Sequence, residues 1–561
     1  MQFKRRLGSK AQELSISPHG SINSRAERGE PITMIGRRNL WLLLVVFMLA
    51  ALLRIGVAQG STLWADEVFS LAMATGHSLE HPAAVADRAR GDFVEPDNPV
   101  PAEEFRRYLK HDNPPAGPDR VVRAVLLSDT SPPLYYLLLY AWTLIFGTSD
   151  IVLRLFSIVC SLACLPLLAG VARRTGGNGA VLASCVLFAF SPLAIYYSTE
   201  GRMYSLLWLC VLATMWVSLL LQERGEGIAT YALWSLASAA GFLTHYFFLF
   251  PWLAIVAYLL IRPGKLTRLY LAACVLVTAL LVLPWYLRLP ESLSSWRVTQ
   301  GWLKMQPAGF NRLGASFELI AQSFSWQLFR QPWIGYRVSY ISALILFAFV
   351  GVVMLWRLRF HICDRGVLLL WLLFAAACAA PVAVDFVEHT YLVAKTRYAI
   401  AALPAAYLLA AVGLACMNLR IRMVMLVLIV LAWAPSVLTI YRDRLPWLPM
   451  RKIARAVSAN SRPSDLILVH SIPSGVLDVA RYSNGSAVMA SWVGQLGTRR
   501  TPESLRALAA GRTRVMFVKV HEVREPAPEE DWLRANALVF KESRVGSAKI
   551  VDFRLMGSKA F

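Results

Sequence analysis
Apolar residues run in long blocks along this chain, separated by short polar turns. Most blocks approach the roughly 17–25 residues that carry an α-helix across a bilayer. They predict spans near 39–58, 152–172, 180–198, 204–221, 229–248, 250–261, 269–288, 339–356, 366–384, 398–416 and 423–440. The stretch 132–147 differs, because Pro132-Pro133 open it and Gly147 closes it. Its length of about 16 residues reaches only roughly 24 Å. Without a crossing there, the turns holding Arg173-Arg174, Arg224, Arg262 to Arg268, Arg357 to Arg365 and Arg420 to Arg422 share one side with the basic tail 1–38. Basic loops stay cytoplasmic, so 132–147 reads as a juxtamembrane or re-entrant helix on the outer face. The pattern is then an α-helical polytopic membrane protein of about 11 spans, with a cytoplasmic N-terminus and an outer C-terminus.

Composition agrees: 57% of the 561 residues are hydrophobic and 16% charged, against about a quarter charged in soluble domains. The formal net charge is +22, which on a soluble protein would suggest nucleic acid. Here it is dispersed. The tail 1–38 carries eight Lys/Arg against three Asp/Glu, and the first outer segment, 59–131, reverses the balance with twelve Asp/Glu against seven Lys/Arg. The excess therefore orients the chain in the membrane and offers positive charge to headgroups or lipid phosphates, with no nucleic-acid partner implied. Cysteines at 160, 164, 185, 210, 274, 363, 378 and 416 have no C-x-x-C spacing and suggest packing residues rather than a zinc cluster.

Long outward segments are expected at 59–131, 289–337 and 441–561. The last changes character. Helical 449–461, the apolar run Leu466 to Val469, helical 502–510, the run Arg514 to Val520 and alternating 548–555 predict a small C-terminal α/β domain, a stabilising or partner-binding cap.

Candidate chemistry lies at the outer ends of the spans. Asp66-Glu67 follow the first span, where a carboxylate can act as general base towards a hydroxyl or hold a metal. Asp129 precedes the two prolines and Tyr135-Tyr136. Glu200, Arg202 and Tyr204 sit between two spans, where unpaired charge is costly and Arg202 can fork onto a phosphate. His245 and Tyr246 close another span, and Lys395 with Arg397 precede the tenth. Each group alone also reads as an interfacial residue, a snorkelling cation or a solvated loop. Together, carboxylates, cations and aromatics at one lipid–water border suit a substrate that is half lipid and half polar with an anionic group between.

The series Ala65-Asp66-Glu67, Asp129-x-x-Pro132-Pro133-Leu134-Tyr135-Tyr136, Phe146-Gly147 with Arg154-Leu155, Glu200-x-Arg202-Met203-Tyr204 and Thr244-His245-Tyr246 resembles the integral-membrane glycosyltransferases of the GT-C type. Within these it is similar to the bacterial branch related to protein O-mannosyltransferases and aminoarabinose transferases (glycosyltransferase family 39-like), over residues 60 to 400. The resemblance implies a GT-C-like transmembrane domain over 39–440 followed by a periplasmic α/β domain over 441–561, in the bacterial inner membrane. It implies a polyprenyl-phosphate sugar donor and an acceptor hydroxyl on a glycan, lipid or protein. Asp66 would be the catalytic carboxylate with Glu67 beside it. Arg202, Lys395 and Arg397 would contact donor phosphate, and Asp129, Tyr136, Glu200, Tyr204, His245 and Tyr246 would line the substrate site. His245 is also the candidate ligand should a divalent metal take part. Ser131 stands where these proteins usually carry His, which takes an imidazole out of the presumed site. Two other classes fit the spans: a transporter or flippase of lipid-linked sugars, and a non-catalytic envelope assembly protein. Pro166 and Pro192 interrupt spans, yet span centres carry almost no charge and no internal repeat is evident, which disfavours a transporter.

Overall fold
In lipid a long apolar run satisfies its backbone only as a helix, and the computed structural model builds one from nearly every such run it describes. It describes residues 37–81, 86–129, 131–224, 227–290, 303–307, 309–325, 365–442, 449–521 and 527–555. The expected span 339–356, the tail up to residue 36 and most of 289–337 lie outside these residues.

The membrane region comprises α1 (Arg37–Gly60), α2 (Ala65–Ala74), α3 (Ala102–Arg106), α4 (Pro118–Ser128), α5 (Leu134–Phe146), α6 (Asp150–Gly176), α7 (Asn178–Phe190), α8 (Pro192–Ser198), α9 (Tyr204–Arg224), α10 (Ile228–Phe242), α11 (Leu249–Ile261), α12 (Arg268–Tyr286), α13 (Arg312–Ser325), α14 (Arg365–Glu388), α15 (Leu403–Ala415) and α16 (Leu419–Arg442). Among the described residues, α1, α6, α9, α12, α14 and α16 are each long and apolar enough to cross a membrane.

The expected span 180–198 is broken. α7 and α8 meet at a 59° bend, because Pro192 has no N–H to continue the ladder and the Ser191 hydroxyl accepts the Ala194 N–H instead. The bend leaves carbonyls at the end of α7, and Arg54 of α1 fills them. Its Nη1 and Nη2 donate to the Ala189 and Phe188 carbonyls at 2.8 and 3.1 Å, and its Nε donates to Ser161 Oγ. A cation within the first span is thus solvated by a helix C-terminus. Further along, the break expected between 248 and 250 falls at 243–245. There His245 Nδ1 accepts the Phe247 N–H at 3.1 Å and starts the turn Tyr246–Phe248 that runs into α11. α5 has 13 residues, about 20 Å at helical rise.

The basic turns among the described residues gather at one end of the bundle. Arg174 pairs with Glu223 at 3.1 Å, the Lys265 N–H bonds the Gln222 carbonyl, and Arg422 donates to the Gly179 carbonyl. At the other end α2 to α5 form a cap. The acidic middle of the first outer segment is ordered here, its charges spent on structure. Asp92 takes a two-toothed bond from Arg123, and Glu103 pairs with Arg106 and Lys110.

Residues 449–555 form an α/β unit from α17 (Met450–Asn460), β1 (Leu466–His470), α18 (Pro473–Tyr482), β2 (Val488–Trp492), α19 (Glu503–Ala509), β3 (Arg514–Lys519), α20 (Pro528–Asn536), β4 (Ala537–Val545) and β5 (Ala548–Leu555). Sheet order is β2-β1-β3-β5-β4, with β1 parallel to β2 and β3, and β5 antiparallel to β3 and β4. Ile467, Val469 and Met516 face α17 and α18, while Leu466, Leu468 and Phe517 face α19 and α20. The first outer segment docks on this unit. Val100 exchanges both backbone bonds with Met489 of β2 at 2.9 and 2.8 Å, and Glu95 accepts the Val493 N–H at 3.0 Å.

Candidate active site
The helix start at α2 places its two acids differently. Asp66 and Glu67 occupy the first turn, where carboxylates complement the helix dipole. Successive residues on a helix point about 100° apart, so their side chains diverge. The Asp66 carboxylate is 26% exposed and accepts Arg397 Nη1 at 3.0 Å, from a residue 331 positions away. Glu67 has no solvent access. Both its oxygens take bonds from Arg154, at 2.8 and 2.7 Å, and Oε1 also accepts the Gly201 N–H at 2.9 Å. Arg154 spends its remaining donors on the carbonyls of Ala58, Ser61 and Thr62. The pair pins the end of α1, the turn before Asp66 and the turn before Arg202 onto α6.

Arg202 lies in the turn between α8 and α9. Its Nη1 reaches Asp129 Oδ2 and Tyr136 Oη at 3.0 Å each and Ser70 Oγ at 3.3 Å, while its buried Nε has no hydrogen-bond partner among the described residues. Tyr136 Oη also donates to Asp129 at 2.7 Å. Burial works against the charge of Asp129, but the Arg202 guanidinium and the Tyr136 hydroxyl outweigh it and hold the carboxyl below its usual range. Ser131 Oγ donates to Asp129 as well, at 3.0 Å. The residue at the usual His position is therefore a hydrogen-bond partner of the acid.

Glu200 accepts the indole N–H of Trp64 at 3.1 Å. Tyr204 lies against Tyr197 and His245, ring centroids 4.9 and 6.4 Å away. Because His245 Nδ1 is an acceptor, the ring is neutral and its proton sits on Nε2. Tyr246 Oη accepts from Trp285 at 3.2 Å. Among the described residues, no group of three His, Cys, Asp or Glu side chains is placed to hold a metal ion.

Lys395 and Arg397 stand on the irregular stretch after α14. The stretch is shaped by Asp385, buried at the end of that helix. It accepts from Thr390 Oγ1 at 2.6 Å and from the N–H groups of Leu392 and Val393 at 2.7 and 2.9 Å. Burial and the adjacent Arg397 push the Lys395 ammonium down to about 7, against the pull of Asp66. A cavity of about 400 Å³ adjoins this stretch, between α13 and Val393 to Thr396.

Sequence reading assigned no site role to Arg154, Asp385, Trp64 or Glu80, although Arg154 belongs to the motif series above and Trp64 directly precedes Ala65-Asp66-Glu67. Charges inside apolar runs signal the first two. Glu80 had no such signal. Burial, reinforced by the negative Asp129, raises it to about 8, so at neutral pH it is a protonated carboxyl near an ionised one.

The site is thus two crossed ion pairs, Asp66–Arg397 and Asp129–Arg202, with a third cation and a rim of tyrosines, at the end opposite the basic turns. The chain aligns along most of its length with the crystal structure of ArnT from Cupriavidus metallidurans in the apo state, at 15% identity and a TM-score of 0.50, covering 86% of this chain and 95% of that one. The chain shares its fold with that ArnT. The structure of the same ArnT bound to undecaprenyl phosphate matches at 16% identity and a TM-score of 0.50, over 91% of this chain and 97% of that one. Residues 130–287 match the family model described as dolichyl-phosphate-mannose-protein mannosyltransferase. No curated protein sequence matches the chain. The matched segment runs from α5 to the end of α12 and so contains Tyr136, Glu200, Arg202, Tyr204, His245 and Tyr246. The protein is a multi-pass membrane protein.

Proposed function
We propose that the protein moves one sugar from a polyprenyl-phosphate donor to an acceptor hydroxyl, at the periplasmic face of a bacterial inner membrane. The observation that carries this reading is the Asp66–Arg397 pair beside the Asp129–Arg202 pair. A partly exposed carboxylate and two guanidinium groups meet where spans end. Fold likeness to an ArnT seen with undecaprenyl phosphate supports it as analogy.

In the transfer, the Asp66 carboxylate takes the proton of the acceptor hydroxyl as its oxygen bonds the anomeric carbon. The bond from that carbon to the phosphate oxygen breaks with its electron pair, and the leaving polyprenyl phosphate gains negative charge. Arg397, Lys395 and the unspent Nε of Arg202 supply donors for that charge. Asp129 orients Arg202 and Tyr136. Glu67, bound on every side, is a positioning residue that holds Asp66 through Arg154.

Purified protein in liposomes with a labelled polyprenyl-phosphate sugar and a membrane extract as acceptor tests this. Asp66→Asn should slow release of polyprenyl phosphate by about 10²–10⁴, the usual worth of a general base, while leaving the folded yield unchanged. Full turnover in that variant would overturn the assignment.

A further inference from the structure
A second polar cavity, of about 380 Å³, opens where the membrane region meets the C-terminal unit. Ala58 and Gln59 at the end of α1 and Ser149 to Ile151 at the start of α6 form one wall, and Arg451 and Arg481 form the other. α16 ends at Arg442, just before α17 carries Arg451. Three helix ends therefore put this cavity at the level where lipid headgroups lie.

Its charge is unbalanced. Asp150 is the only acid among the described lining residues, and Arg481 and Tyr482 both claim it: Arg481 Nε donates to Oδ1 at 2.7 Å and Tyr482 Oη to Oδ2 at 2.6 Å. Arg451 comes no closer to that carboxylate than 3.6 Å, beyond hydrogen-bond reach. Its guanidinium is instead held over the Tyr482 ring, 5.7 Å from the centroid. α17 buries Met450, Ile453, Ala454 and Val457 and exposes Arg451, Lys452 and Arg455, with no acid in its eleven residues. A cationic helix face following directly on a span attracts anionic lipid, and a guanidinium fork fits a phosphodiester.

We infer that this cavity seats the phosphodiester of an anionic phospholipid from the adjoining leaflet, with Arg451 and Arg481 as its contacts. The lipid bridges α1 and α6 to α17 and α18. It reinforces a junction in which Tyr482 already accepts the Leu63 N–H at 2.8 Å, shortly before Asp66. This inference stands apart from the proposed transfer reaction.

The test is native mass spectrometry of the full-length protein, delipidated in neutral detergent and titrated with phosphatidylglycerol, phosphatidylcholine, polyprenyl phosphate or inorganic phosphate. Wild type should retain phosphatidylglycerol over phosphatidylcholine. Arg451→Gln should retain it about tenfold less, as expected for one lost charge-assisted contact, and Arg451→Lys should lie between. Arg451 is half exposed and outside the core, so its variants should remain folded should Arg481→Gln fail. Equal retention of the two phospholipids, or unchanged retention in Arg451→Gln, overturns the inference. So does Arg451-dependent binding of inorganic phosphate or polyprenyl phosphate in preference to phosphatidylglycerol.

Discussion

Glu67 and Arg154, 87 positions apart, form a two-bonded ion pair with no solvent access on either side chain, at 2.8 and 2.7 Å. Every remaining Arg154 donor goes to a carbonyl at the end of α1 or in the turn that leads to α2. The neighbouring acid, Asp66, is left to face the site. Adjacent residues of one sequence motif thus divide into a buried scaffold acid and a partly exposed one.

That division predicts opposite costs for the two acids. Glu67→Ala strands a buried guanidinium and should lower stability by about 3–5 kcal/mol, whereas Asp66→Asn, partly exposed, should cost under about 1 kcal/mol. Thermal unfolding in detergent compares them. Equal melting shifts would show that Glu67 is not the scaffold residue.

Under the proposed reaction, Lys395 should make donor affinity depend on pH. With its ammonium held down to about 7 by burial and Arg397, the empty site carries the extra charge below that pH and loses it above. Affinity for polyprenyl phosphate should therefore fall as pH rises from 6 to 9. Lys395→Arg should flatten the profile, since guanidinium keeps its proton. A wild-type affinity constant over this range would rule the role out.

Asp385 should act on the site from a distance. Its carboxylate holds Thr390, Leu392 and Val393, and through them the stretch bearing Lys395 and Arg397. Asp385→Ala should reduce kcat/KM for donor about tenfold or more, at about 1.5–3 kcal/mol for a charged hydrogen bond, and Asp385→Asn should recover part of it. Donor kinetics unchanged in the Ala variant would show that the stretch holds itself.

Asp478 of α18 sits buried 3.7 Å from His521 Nε2. Burial lifts its carboxyl to about 6, though His521 pulls the other way. Between the ordinary carboxylate range and pH 6, the folded chain binds a proton that the unfolded chain has released, so stability falls as pH rises through that window. Asp478→Asn should remove the slope and stabilise the chain at pH 7, by at most about 3 kcal/mol at about 1.4 kcal/mol per unit. Unfolding between pH 4 and 8 measures it, and parallel curves for both proteins would refute the assignment.

Long uncharged blocks between basic turns were enough to establish the helical membrane architecture, because lipid leaves a backbone no alternative. That Asp66, Asp129, Arg202, His245 and Arg397 would gather at one end of the bundle followed from the same sidedness. Pairwise choice did not. That Arg154 takes Glu67 rather than Asp66, and that Arg397 reaches Asp66, depends on packing between residues 87 and 331 positions apart. The bend at Pro192 was visible as a proline, yet Arg54 as the group that fills it was not. In the C-terminal unit β1, β3 and β5 were legible, while β2, with its mixed small and large residues, and the exposed edge strand β4 were not. Their pleats are set by sheet partners. Local pattern determines which segments enter lipid and which end of the bundle carries the chemistry. Only tertiary contact decides which carboxylate is sealed in a buried ion pair and which stays partly exposed.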